Sequence, residues 1–407
     1  MAVTPTTVDT YSRYMDSLFN ENDIISVSTV WQQFFGKPGN GGSKTIYSPD
    51  SEVVDIDIIR GQERIAALIH RGTDSRYLNN QKNTELERWS SFSRVYPFAE
   101  ELGDITASQI NKRVGGENPY EQRSKNDRMR MLAREHHMEH IRRYVRLFEV
   151  LCGLSLLGGQ HPAITGSINA DNWYDFRRNA AHIVTPTVPW DNAAADILGD
   201  WDAAFDALRQ NGHVRANVAF AGGNICKILL NDDTFKAYAD NRRYELIYAG
   251  RDGFLLPANL QPLVDAGADP IAKVTTPKGR SFFIFAYDAI WTDDDGEPQN
   301  FMPLNSFFFA YYGARCDRYF GPNEVLPPTP ADMAWYQQMF GMNMNVPMMP
   351  VNIKNAGAVV TPRMFYSDAY PSPDKKKVTI RTQTAPIFAT TQTDAFFTYY
   401  NCLTVSS

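Results

Sequence analysis

The stretch from Asn118 to Gly159 reads as a single helix, and its length limits what the rest of the chain can be. Asn118 can cap it, Pro119 suits the first helical position, and Glu121 stands where a capping-box carboxylate reaches back to free N–H groups. Met131, Met138, Ile141, Val145, Phe148 and Cys152 recur at alternating steps of about three and four, so they share one face. Glu135, Glu139, Arg142, Arg143 and Arg146 lie behind that stripe, with Glu139 and Arg143 spaced for an i,i+4 ion pair. The last turns, Val150 to Leu157, are apolar all round and demand burial. Gly158-Gly159 and then Pro162 stop the helix. About forty helical residues extend roughly 60 Å, far beyond the usual three or four turns. A small globular core cannot cover such a rod, so something else must lie along it.

Composition enters as a set of exclusions. The chain has 407 residues, 43% of them hydrophobic and 13% aromatic, enough for a sizeable core and about two or three ordinary domains. A net charge of −6 argues against a protein that grips nucleic acid, because phosphate binding needs clustered Lys and Arg. Cys152, Cys226, Cys316 and Cys402 lie far apart without a C-x-x-C pair. That reads as reduced thiols, not a disulfide framework or a zinc ribbon. Met1 to Thr7 lack the basic start and apolar run of a signal peptide. No apolar run reaches the ~18 residues of a membrane span. The expectation is a soluble chain, intracellular when made.

Ahead of the helix, residues 1–45 read as an extended arm with an apolar anchor at Trp31, Phe34 and Phe35, followed by a flexible loop from Gly36 to Gly42. Val54-Asp55-Ile56-Asp57-Ile58 alternates, Gly61 to Glu63 turns, and Ile65 to Ile69 returns, which is a hairpin with one apolar face. No helix follows to cover it. After the long helix, strands are expected at 164–168, 173–176 and 182–185. Asp191 then caps a second helix whose stripe is Ile197, Trp201, Phe205 and Leu208, closed by Asn211-Gly212. Val214 to Phe220 is a strand, and Gly222 opens a short helix through Leu230. Phe282–Trp291 and Phe301–Tyr312 read as two strands around an Asp295-Gly296 turn. Residues 321–373, rich in Pro, Met and Asn, form an excursion of loops. Val378–Thr384 and Ala395–Val405 make a final strand pair. No internal repeat is present, and the mixture is α+β, without regular βαβ alternation.

Several motifs invite a chemical reading. His136-His137-Met138-Glu139-His140 matches H-x-x-E-H, where two histidines bind zinc and the glutamate acts as base. Arg128, Arg130, Arg134, Arg142 and Arg143 surround it and disfavour a dication, and no downstream helix offers a third ligand. Solvated or subunit-facing histidines fit better. Gly36 to Thr45 fails as a phosphate loop, since Gly42 stands where lysine is required. Asp293-Asp294-Asp295-Gly296 fails as a calcium loop, with Trp291 and Met302 at the terminal ligand positions, and reads as a hairpin turn. No nucleophile elbow or Cys–His signature is present. A catalytic constellation is absent from the sequence.

The order of segments is itself informative: arm, protruding hairpin, long helix, α+β lobe, C-terminal return. Trp190, Asp196-Ile197-Leu198, the amphipathic helix to Leu208 and the run from Asn211 to Phe220 are similar to the central stretch of the lambda-type capsid protein E family. So are Tyr287, the Asp295-Gly296 turn, Phe301-Met302-Pro303-Leu304-Asn305 and Tyr312-Gly313. Thr384-Ala385-Pro386-Ile387 with Asp394 resembles that family's C-terminal signature. The chain thus resembles phage major capsid proteins of the Hong Kong 97 fold. The excursion 321–373 is longer than the family pattern.

The resemblance implies a peripheral domain (111–190 with 374–407) built on the spine helix 118–159, and an axial domain (191–373) holding the excursion. It also implies an extended loop hairpin (46–110) and an N-terminal arm (1–45). The implied function is structural, not enzymatic: a major capsid protein that self-assembles into hexamers and pentamers of the icosahedral head of a tailed phage around double-stranded DNA. Such a chain belongs to the virion capsid and, during assembly, to the host cytoplasm. Implied partners are further copies of the chain, a separate scaffolding protein, a portal and a decoration protein. Packaged DNA is contacted without sequence specificity, and no cofactor is expected. From the residues themselves, the uncovered hairpin face makes Ile56, Ile58, Arg60, Arg64, Ile65 and Leu68 the expected contacts with a neighbouring subunit. The C-terminal strands are expected on the spine helix, and Met339–Met349 at a contact between capsomers or beneath a decoration protein. An encapsulin-like shell protein is the alternative within the fold. A zinc metallopeptidase through His136, Glu139 and His140 is the alternative from another class.

Overall fold

In the computed structural model the long helix runs from Lys125 to Gly158 and stops where Gly159 takes a φ of +67°. The structure describes residues 29–37, 42–47, 53–59, 89–111, 125–162, 173–232, 235, 256–292, 296–322, 364–372 and 376–404. The expected start of the helix, Asn118 to Ser124, lies outside them. Its buried line keeps Ile141, Val145, Phe148 and Cys152 of the expected stripe and shifts only in the N-terminal half. Met131 and Met138 are half-buried, while Met129, Ala133, His137, Tyr144, Phe148 and Cys152 are buried. The shift follows from the covering layer, which offers hydroxyl groups to the two inward histidines and a carbonyl to Tyr144.

Two layers lie along the helix. The larger is a six-stranded sheet in the order Ile183–Val184, Phe396–Tyr399, Phe307–Ala310, Val218–Ala221, Ser281–Ala286, Asp269–Thr275. Its middle strands are continuous apolar runs because both faces are covered. Phe308, Phe220 and Phe285 face the core shared with Phe148 and Leu156 of the spine. Phe307, Phe309, Phe282 and Ile284 face the helix Ile197–Ala207 through Trp201 and Phe205. The smaller layer is an antiparallel sheet in the order Tyr366–Pro371, Lys377–Thr384, Ala99–Thr106. A further mixed sheet joins Thr45–Tyr47, Asp317–Phe320 and Pro386–Ala389.

Several expectations need correction. Val53–Ile59 pairs with Trp89–Val95, not with Ile65–Ile69, which lies outside the described residues. Asp196 caps the second helix, accepting from the Gly199 N–H at 2.9 Å. Asp191 instead accepts from the backbone and hydroxyl of Thr404, because Asn192 first closes a local turn on the Ala194 N–H. Ser281–Ala286 and Phe307–Ala310 do not form a hairpin; Val218–Ala221 inserts between them. The Gly296 region closes only the short ribbon Ile290–Thr292 with Pro298–Asn300. The C-terminal return divides between layers. Lys377–Thr384 lies on the spine's sheet, and Phe396–Tyr399 completes the central one, where Thr398 Oγ1 still donates to Leu157 O of the spine at 2.7 Å. Residues 164–168 and 323–363 lie outside the described residues.

Candidate functional site

The spine helix is the site, since its faces hold three other parts of the chain. Toward its N-terminal half, His137 and His140 turn into the small sheet. Ser367 Oγ lies 3.0 Å from His137 Nδ1 and 3.2 Å from Thr382 Oγ1, which lies 3.1 Å from His140 Nδ1. Tyr144 donates to Thr382 O at 2.6 Å. The strand Ala99–Thr106 crosses the rings so closely that a Cβ on Gly103 would stand 2.6 Å from His136 Nδ1, so no side chain fits there. Burial pushes both His137 and His140 down to about 4, and His140 is lowered further by the charges of His136 and Arg143. These are neutral rings in a hydroxyl network. Glu139 points away, 3.4 Å from Arg143, which also meets Glu101 at 3.1 Å. The glutamate of the zinc reading is thus turned away from His136 and His140, and among the described residues no group of three His, Cys, Asp or Glu could hold a metal ion.

One helical turn beyond Val145, the spine receives the N-terminal anchor. Trp31 and Phe34 of the 3-10 turn Trp31–Phe34 are fully buried. The carboxylate of Glu149 accepts from the Trp31 N–H at 2.6 Å, the Gln32 N–H at 3.2 Å and the Tyr287 hydroxyl at 2.9 Å. Sequence reasoning found the anchor but missed its receptor. The available signal was a lone carboxylate entering the all-apolar end of the helix. At that end, Arg178 is buried and donates to Leu157 O at 2.9 Å and Ser155 O at 3.2 Å, adding side-chain donors to the last carbonyls of the helix. Burial lowers its guanidinium to about 10.

The predicted contact residues are only partly placed. Ile56 and Ile58 are buried in the chain's own core against Tyr319, Ile387 and Phe176. The apolar face that seemed to need a neighbour is covered by strands distant in sequence. Arg60, Arg64, Ile65 and Leu68 lie outside the described residues. On the outer face of the small sheet Leu102 is 56% and Tyr370 39% accessible, while Tyr366, Thr379 and Gln383 of the same face are buried. Arg381 there grips Asp368 through two bonds and lies 3.6 Å from Glu100, and Lys377 meets Asp104 at 2.7 Å. Among the described residues, no helix is long and apolar enough to cross a membrane.

The spine thus holds the N-terminal anchor, the small sheet and part of the C-terminal return. A family model described as phage major capsid protein E matches residues 28–315. The chain belongs to the phage major capsid protein E family. A putative capsid protein of a prophage of E. coli CFT073 is similar in structure, with a TM-score of 0.61 at 12% identity over 98% of this chain and 99% of that one. The fold is thus the α+β Hong Kong 97-type capsid fold that the resemblance implied. A phage-related protein of Bordetella bronchiseptica RB50 is similar at 9% identity with a TM-score of 0.45, covering 98% of this chain and 99% of that one. An encapsulin complex of Synechococcus elongatus matches at 8% identity and 0.42, covering 100% and 98%. No curated protein matches the chain. Capsid protein E members are structural, which agrees with histidines spent on packing.

Proposed function

We propose that this chain is the major capsid protein of a tailed phage, assembling as hexamers and pentamers into an icosahedral head around double-stranded DNA. The observation that carries the reading is the family match over residues 28–315. In this reading the spine helix with the small sheet forms the peripheral domain, and the central sheet with helix Ile197–Ala207 forms the axial domain. Residues 46–110 are the extended loop, and the arm precedes them. Residues 374–407 return to the peripheral domain in this reading, supported by the bond from Thr398 Oγ1 to Leu157 O of the spine. Repetition of one heterologous contact around a ring gives closed capsomers. Partners are other copies, a separate scaffolding protein, a portal and a decoration protein; packaged DNA is met without sequence specificity. An encapsulin-like shell protein is the alternative within the fold.

With Ile56 and Ile58 engaged internally, the contact with a neighbour falls to the rest of the hairpin, including Arg60, Arg64, Ile65 and Leu68. Replacing residues 62–86 by a short Gly-Ser link should leave the circular dichroism of the chain unchanged and abolish shells in sedimentation. Normal shells from that variant would remove the hairpin from the assembly mechanism.

A further inference from the structure

Glu149 is a carboxylate in a place built from apolar side chains. It is fully buried in the middle of the spine helix, between Phe148 and Val150. The groups that reach it are the backbone N–H donors of Trp31 and Gln32, the Gln32 side-chain amide and the Tyr287 hydroxyl. Its own helix adds the buried Cys152 thiol, and beyond that lie Cys316 and Arg318, which act on Cys152. The 3-10 turn brings no titratable side chain; Lys37, beyond its end, is held by Gln33. Among the described residues, the main influences on Glu149 are its burial and these donors, none of them a cation.

The turn itself is a plug. Trp31 lies 4.8 Å from the Phe220 ring, 5.3 Å from Tyr287 and 5.7 Å from Phe308. Phe34 lies 5.1 Å from Tyr312. The strap continues from the plug along one strand: the Gly36 N–H donates to Cys316 O at 2.9 Å, and the Lys44 N–H to Asp317 at 2.7 Å. Glu149 is the polar group at the root of this strap.

We propose that Glu149 and the Trp31–Phe34 turn form a proton-dependent latch, which holds the arm while the carboxyl keeps its proton and loosens when it ionises. Docking removes water from the carboxylate and supplies no cation to replace it, so the ionised form is disfavoured there. Burial outweighs the donors and raises the group to about 7. Tyr287 can accept as well as donate, so the site remains satisfied with the proton in place. When the plug leaves, water returns and the carboxyl titrates in its ordinary range. The docked state therefore takes up a proton between that range and about pH 7. Docking is strongest at the acid end, weakens as pH rises through the window, and is weakest above it. The span corresponds to a change on the order of a hundredfold in the docking equilibrium. This inference goes beyond the shell reading and does not depend on it.

Hydrogen exchange of the intact chain from pH 5 to 8.5, corrected for intrinsic rates, reads the latch at the Trp31 and Gln32 amides. Amides of Val218–Ala221 serve as the internal reference. The expected result is protection at Trp31 and Gln32 that falls by tens to a hundredfold relative to the reference, and becomes flat in Glu149→Gln. Tyr287→Phe, which leaves the carboxyl but removes one donor to its ionised form, should move the midpoint upward. Should Glu149→Gln fail to fold, the Tyr287→Phe midpoint decides. Flat protection in the native chain, the same pH dependence in Glu149→Gln, or an unmoved midpoint in Tyr287→Phe overturns the latch.

Discussion

Gly153 lies one turn along the spine from Glu149, and its missing side chain is what admits Trp31. A Cβ there would stand 3.1 Å from Trp31 Cδ1 and 3.3 Å from its Nε1. Trp31 cannot retreat, because Phe220, Tyr287 and Phe308 pack around it. Glycine inside a helix normally costs stability; here the close approach reverses the preference. Gly153→Val should lower stability by about 1–3 kcal/mol, measured by urea denaturation, with Trp fluorescence reporting exposure of the plug. An unchanged midpoint would mean that Trp31 does not fill this notch. The anchor was legible in the sequence because Trp31, Phe34 and Phe35 are a dense apolar knot in a polar arm. Glu149 was not, since a carboxylate on an arginine-rich helix reads as part of its solvated face until the helix is given neighbours.

At the scale of elements, the seam between the spine and the small sheet is sensitive to acid. His137 and His140 sit below the ordinary imidazole range when folded, at about 4. Between about pH 4 and 6.5 the unfolded chain binds more protons at these sites than the folded chain does. Their contribution is therefore fully present above about pH 6.5 and is lost as pH falls toward 4. For the deeply buried His137 it amounts to roughly 3 kcal/mol. The Glu149 term has the opposite sign, decreasing stability as pH rises to about 7. Stability followed from pH 7 to 4.5 should fall steeply in the native chain and less steeply in His137→Gln. Equal slopes would place the acid sensitivity elsewhere. The helix end was legible from Gly158-Gly159, and the apolar stripe of the second helix from its spacing. Strand pairing was not. Val53–Ile59 finds Trp89–Val95 rather than the nearer apolar run, and Val218–Ala221 separates two strands that looked like a hairpin. Such choices depend on which distant faces need cover, and local alternation does not record that.

For the whole molecule, the expected order of arm, hairpin, spine and return carried more information than any single motif. The family match and the prophage capsid likeness agree with it. The outer sheet face carries the exposed Leu102 and Tyr370 among paired charges. It was invisible in sequence because it is assembled from residues 99–106, 366–371 and 377–384. The proposed function requires that copies of this chain build a closed shell. Electron microscopy of the purified chain across a concentration series tests it most directly. The account predicts ring-shaped capsomers that give way, as concentration rises, to closed shells or curved lattices with sixfold capsomers. A chain that stays monomeric, or stops at a single discrete dimer at every concentration, would contradict it.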